Sequence, residues 1–86
     1  MNKAEIIIDV RTPQEYAAGH VAGSINIPLN EVQQRLPEIK AMPQPILLCC
    51  ASGNRSGQAT TFLKNCGVLC ENGGSWLDVH YKTMAA

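Results

Sequence analysis

The chain has 86 residues, 45% of them apolar, which suits one domain around one core. Seven basic residues balance seven acidic ones, so no bulk charge draws it to nucleic acid or to an anionic membrane. The longest apolar runs, EIIIDV and PILLCCA, are far too short to cross a bilayer.

EIIIDV (5–10) is a β-branched apolar run that reads as a buried parallel strand. Thr12, Pro13 and Glu15 then supply an N-cap, a proline at N1 and a capping-box glutamate at N3. The short helix they start runs through Ala18 and stops at Gly19. SINIP (24–28) is a brief strand closed by proline. Asn30 with Gln33 repeats the capping pattern, and Val32 and Leu36 mark the buried face of a second helix ending near Pro37. PILLCC (45–50) is another buried strand. Ala59, Phe62, Leu63 and Cys66 recur at i, i+3, i+4 and i+7, so a helix is expected from about Ser56 to Cys66, with Gly67 at C′. VLCE (68–71) reads as a short strand, and NGGSWLDVHYKTM begins as a turn and ends as a helix. The alternation predicts an α/β fold of three layers, a parallel sheet with helices on both faces. Ligands of such sheets bind beyond the carboxyl ends of strands where the strand order reverses, and the loop after Cys50 lies at such an end.

That loop sits in LLCCASGNRSG (47–57). Counted from Cys49 the spacing is Cys-x5-Arg-Ser, the pattern of cysteine phosphatases; counted from Cys50 it is one residue tighter. Gly53 permits unusual backbone angles, and a helix starting near Ser56 aims unpaired N–H groups into the loop. A thiolate among those amides, near Arg55, has a lowered pKa and reacts near neutral pH. The plainer reading makes Cys50 a buried strand-end residue; glycine, arginine and a helix start within one short loop favour the reactive one. Cys49 and Cys50 point to opposite sides of a strand, so they neither bond readily to each other nor face one metal. The spacings of structural zinc sites are absent. A Cys66–Cys70 disulfide stays open, and mostly free thiols fit a reducing compartment. No cationic stretch followed by an apolar signal core precedes Ile6, so a cytoplasmic location is expected, or a periplasmic one if an export signal has been removed.

Three blocks carry a family resemblance. IIIDVRTPQEYAAGHVAGSINIPL resembles the first signature of the rhodanese, or thiosulfate sulfurtransferase, single-domain family. Asp9, Val10, Arg11, Glu15, Tyr16, Gly19, His20, Gly23, Ile25, Asn26 and Pro28 are all in place. CASGNRSGQA is similar to the family's active-site loop, Cys-x-x-Gly-x-Arg-Ser, and ENGGSWLD to its closing Gly-Gly and tryptophan block. The likeness is to the phage-shock protein E type and spans most of residues 5 to 78. In the family register glycine stands three residues after the nucleophile and arginine five after. Cys50 fits, with Gly53 and Arg55; counting from Cys49 puts Ser52 where glycine belongs. The resemblance thus implies Cys50 as nucleophile, Cys49 as a core residue, and a loop sized for sulfur. Related phosphatases and arsenate reductases use a loop one residue longer.

The implied reaction has two steps. Cys50 thiolate takes the outer sulfur of thiosulfate or another sulfane donor, and a thiol or cyanide then takes it from the persulfide. The amides of Ala51, Ser52, Gly53, Asn54 and Arg55 would stabilise the persulfide, and Arg55 would hold the donor's sulfonate. No metal or organic cofactor is required. The expected partners are these small molecules, with no nucleic acid or membrane, and the chain is expected to be a monomer. A non-catalytic rhodanese-fold module, regulatory or sulfur-carrying, is the alternative; such modules usually lose the cysteine that is kept here.

Asp9 and Arg11 read as a structural ion pair, His20 as a turn-fixing hydrogen bonder and His80 as a surface residue. Trp76 reads as core, and Cys66 and Cys70 as buried apolar positions. Family members usually begin with a further strand and helix, whereas five residues precede Ile6. The expected sheet therefore has about four parallel strands, in the order Val68–Glu71, Ile46–Cys49, Ile6–Val10, Ile25–Ile27, with Val68–Glu71 at an uncovered edge.

Overall fold

Strands that are apolar at nearly every position can be covered on both faces, and two such runs make the centre of this fold. The computed structural model of the chain describes residues 5–85. In it β1 (Ile6–Asp9) pairs in parallel with β3 (Ile46–Cys50), with Ile8 opposite Leu48 and Asp9 opposite Cys49. β2 (Ile25–Asn26) adds to the outer side of β1 and β4 (Cys70–Ser75) to the outer side of β3. The order β2-β1-β3-β4, all parallel, is the one expected from right-handed crossovers.

Side chains alternate across the sheet as the period of two requires. Ile8, Val10, Leu48 and Cys50 face one core cluster, which includes Ile27, Val32, Ile39, Ala59 and Leu63. Ile7 and Cys49 face the other with Val21 and Val79, flanked by Leu47 and Trp76. The first layer holds α2 (Leu29–Val32), α3 (Leu36–Lys40) and α4 (Asn54–Asn65). The second is covered chiefly by α5 (Trp76–Ala85), because the short α1 (Pro13–Ala18) buries none of its residues.

α1 begins as its sequence dictates. Thr12 Oγ1 accepts from the Glu15 amide at 3.2 Å, and Glu15 Oε1 accepts from the Thr12 amide at 3.0 Å. Gly19 caps the other end. α4 also ends as expected: the Gly67 amide donates to the Lys64 carbonyl and the Val68 amide to that of Leu63, the two bonds of a Schellman ending.

Four boundaries differ from expectation. Asn30 does not cap a helix; α2 follows Pro28 with no side-chain cap and covers a single turn. Pro37, expected to end that helix, stands in the first turn of α3, where a missing N–H costs nothing. α4 starts at Asn54 rather than Ser56, because Gly53 adopts φ +99 at its N-cap. The last strand is Cys70–Ser75 rather than Val68–Glu71, so the ENGGS stretch read as a turn is sheet. The edge position of this last strand is as expected.

Candidate active site

β3 ends at Cys50 and α4 begins four residues later, so the connecting loop must turn sharply. Gly53 makes that turn in the left-handed region, and a Cβ there would lie 3.3 Å from Gly74 Cα. Its amide consequently points back at Cys50 Sγ, 3.0 Å away. Ser56 adds its amide at 3.4 Å, and its hydroxyl lies at 3.3 Å, within donating distance of the sulfur. Burial pushes the Cys50 thiol up, but the Ser56 hydroxyl and the amides of Ser56, Ser52 and Gly53 outweigh it and bring the thiol down to about 7.

Its neighbour is the opposite case. Cys49 is fully buried on the other face, and burial, with Asp9 close by, pushes its thiol up to about 12. Of the two adjacent cysteines, only Cys50 carries an ionisable sulfur near neutral pH.

The five loop residues singled out from the sequence are gathered here with different parts. The Gly53 amide bonds the sulfur directly and the Ser52 amide contributes to lowering its pKa. Asn54 and Arg55 supply the first amides of α4, which has no side-chain cap, so their N–H groups face the loop without an intrahelical partner. Ala51 is exposed at the loop surface. Cys50 itself exposes no surface.

Arg55 meets a partner that sequence reasoning did not foresee. Its Nη1 and Nη2 donate to Glu15 Oε1 and Oε2 at 2.7 and 3.1 Å. The Arg55 guanidinium, ahead of the Thr12 amide, holds the Glu15 carboxyl down at about 2. Ser56 and Asn72 were also missed. Asn72 Nδ2 donates to the Gly53 carbonyl at 2.9 Å, and its Oδ1 accepts from Ser56 Oγ at 2.7 Å. The serine was visible in the Cys-to-Ser spacing; nothing local marked Asn72.

Asp9 and Arg11 form a buried pair with Nη2 to Oδ2 at 2.7 Å, and Arg11 Nη2 also donates to the Gly19 carbonyl. Trp76 lies over that guanidinium at 4.9 Å from its ring centroid and packs beside Gly19, half-buried among these structural groups. His20 bonds the Tyr16 carbonyl through Nδ1 at 2.7 Å and stacks on the Tyr16 ring, which fixes the turn. His80 is half-buried near Trp76 rather than at the surface, and Cys66 is only half-buried, while Cys70 is buried. All four cysteines are free. Among the described residues no three His, Cys, Asp or Glu side chains cluster as metal ligands, and no helix is long and apolar enough to cross a membrane.

A parallel α/β sheet that ends one central strand in a cysteine held by the amides of a tight loop and a helix start defines a class of reactive-cysteine proteins. A model of the rhodanese-like domain matches residues 1–82, and the chain belongs to that family. It is similar to "Thiosulfate sulfurtransferase PspE" of Escherichia coli K12, 41% identical over 88% of this chain and 75% of that protein. An "Uncharacterized protein YqhL" of Bacillus subtilis is 43% identical over 71% of the chain, which spans only 48% of that relative. Among solved structures, a "rhodanese with anions from E. coli" superposes with a TM-score of 0.77 at 40% identity, covering 87% of this chain and 91% of that one.

Proposed function

We propose that the chain is a sulfurtransferase that accepts a sulfane sulfur on Cys50 and passes it to a thiol or to cyanide. The observation that carries this reading is the convergence of the Gly53 and Ser56 amides on Cys50 Sγ, at 3.0 and 3.4 Å, which helps bring its thiol down from the ordinary range. In the first step Cys50 thiolate attacks the outer sulfur of thiosulfate. The bond between the two donor sulfurs breaks with its electron pair, and sulfite leaves. The product is a Cys50 persulfide anion. Its charge falls where the first-turn amides of α4 converge, and preorganised donors of this kind stabilise a developing anion without reorganising. In the second step cyanide, or a thiolate, attacks the outer sulfur of the persulfide and Cys50 thiolate departs. Cyanide gives thiocyanate; a thiolate gives a new persulfide. No other redox partner is needed.

The names of relatives support the same chemistry: one is a thiosulfate sulfurtransferase, and one similar structure is a rhodanese with anions. Arg55 is the side chain that would hold the donor's sulfonate, and to do so it must give up part of its hold on Glu15. Four free thiols support a reducing compartment, such as the cytoplasm, as the place of work.

The experiment is incubation with thiosulfate and cyanide while thiocyanate is measured. Cys50→Ser is expected to abolish the product, and Cys49→Ala to retain most of it. Thiocyanate made by Cys50→Ser, or a folded but inactive Cys49→Ala alone, would refute the assignment.

A further inference from the structure

Ser56 Oγ stands between two acceptors, Cys50 Sγ at 3.3 Å and Asn72 Oδ1 at 2.7 Å, yet a serine hydroxyl has one proton to donate. The orientation of the Asn72 amide decides how that proton is shared. Its Nδ2 donates to the Gly53 carbonyl at 2.9 Å, and its Oδ1 accepts from the Gly74 amide at 3.0 Å. Turning the amide over would set oxygen against carbonyl and NH2 against N–H, so Oδ1 must be the atom that faces Ser56. An amide oxygen has no proton to give, so the proton in the shorter contact is the serine's own. With Ser56 committed to Asn72, a lone pair of its oxygen faces the sulfur. That arrangement suits a neutral thiol and opposes a thiolate.

We propose that Asn72 is a positioning residue for the nucleophile: it competes with Cys50 for the Ser56 proton, so the hydroxyl turns to the sulfur on ionisation and back to Asn72 once the thiolate charge is gone. The same side chain ties the β4 edge to Gly53, whose amide is the closest donor to the sulfur. Through that tie Asn72 supports the thiolate, and through its hold on the Ser56 proton it favours the protonated form; the second effect is the larger, because the Gly53 amide is also held by the turn itself. Ser56 is fully buried, so no water stands in for its single proton at the sulfur.

The other titratable groups around the sulfur come from each element packed there. Arg55 on α4 is drawn to the thiolate, Cys49 on β3 lies behind it on the opposite face, and Glu15 of α1 reaches the loop through Arg55. Cys70 of β4 shares the Cys50 core cluster and is pushed up by burial. Among the described residues none of these four hydrogen-bonds to Ser56 or Asn72, which leaves the hydroxyl as the route between Asn72 and Cys50.

This inference rests on Cys50 as the reactive sulfur, but its test does not use sulfur transfer, so the two can fail separately. The Cys50 pKa is read from ultraviolet thiolate absorbance on pH titration, with the Cys50→Ser titration subtracted. Asn72→Ala is expected to lower that pKa by roughly half a unit, about a threefold change in proton affinity, because the Ser56 proton is released to the sulfur. Combined with Ser56→Ala, the same substitution is expected to produce no fall. A pKa that stays or rises in Asn72→Ala with Ser56 present, or one that falls equally without the hydroxyl, overturns the proposal. Should Asn72→Ala not fold, Asn72→Asp provides the converse. Its carboxylate grips the Ser56 proton harder, so the pKa is expected to rise further with Ser56 present than with Ser56→Ala. An equal rise in both backgrounds, or a fall, overturns it as well.

Discussion

Glu15 carries two tasks on one carboxylate. Its Oε1 closes the capping box on the Thr12 amide, and both oxygens hold Arg55. A capping box is worth something to a six-residue helix that buries none of its residues, but the pairing with Arg55 bears on chemistry. In the proposed reaction a sulfonate arriving at Arg55 would compete with a carboxylate already seated there in a bidentate geometry. Held down at about 2, Glu15 stays ionised at any working pH, so acid does not release Arg55 before Cys50 is protonated. In the proposed reaction, the pH dependence of sulfur uptake therefore belongs to Cys50. With a folded-state pKa of about 7, below the ordinary 9.0, the rate is expected to fall about tenfold per unit as pH drops below 7 and to level off above it. Glu15→Gln keeps an oxygen for the Thr12 amide and removes the charge. The thiosulfate KM is expected to fall by roughly twofold to fivefold, the scale of a partly exposed ion pair, with the pH midpoint unmoved. Steady-state kinetics across pH measure both; a KM that rises would mean that Glu15 helps the donor bind.

At the scale of elements, the carboxyl end of β1 is pinned by a charge that water does not reach. Asp9 exposes no surface and Arg11 only 4%, and the guanidinium spans from that carboxylate to the Gly19 carbonyl beyond α1. Asn26 adds a second tie, donating to the carbonyls of Asp9 and Arg11 at 3.0 and 2.9 Å. Asp9→Asn leaves the buried guanidinium uncompensated, and loss of one partner of such a pair costs about 3 kcal/mol or more. A urea midpoint close to that of the parent would show that the pair is replaceable. Its motif was legible because both partners sit two residues apart on one strand end. The capping box, the strand order and the Gly67 ending were legible for the same reason, each resting on neighbours in sequence or on the handedness of crossovers. What was not legible spans distance. Glu15 reaches Arg55 across forty positions, and Asn72 reaches Ser56 across sixteen. β4 was misplaced because ENGGS has no strand pattern of its own; its pairing with β3 requires the backbone approach that Gly73 permits, where a Cβ would lie 3.1 Å from the Leu48 carbonyl oxygen. The early start of α4 has a like cause, since the φ of Gly53 is set by the loop packing against Gly74.

For the whole molecule, the order β2-β1-β3-β4 leaves β4 at one edge, and an edge strand is a template for another chain. Three features of β4 oppose that use. Its regular register runs only from Cys70 to Asn72, opposite Ile46 to Leu48, before a shift breaks the ladder ahead of the Ser75 pairing with Cys50. A break of this kind twists the strand away from a flat partner. Glu71 is exposed, so two copies paired in antiparallel fashion about this short run would bring like charges together. Asn72 is turned back toward Ser56 and Gly53, and a partner strand that drew on it would disturb the Cys50 loop. Among the described residues Leu69, 67% exposed just before the strand, is the large exposed apolar side chain beside this edge, and a single leucine falls well short of the buried area that a stable dimer needs. The chain is therefore expected to be a monomer in dilute solution. Light scattering over a range of concentrations measures this, and a dimer mass that persists on dilution would mean that β4, or the exposed Leu77, Tyr81 and Met84 of α5, is covered by a second copy.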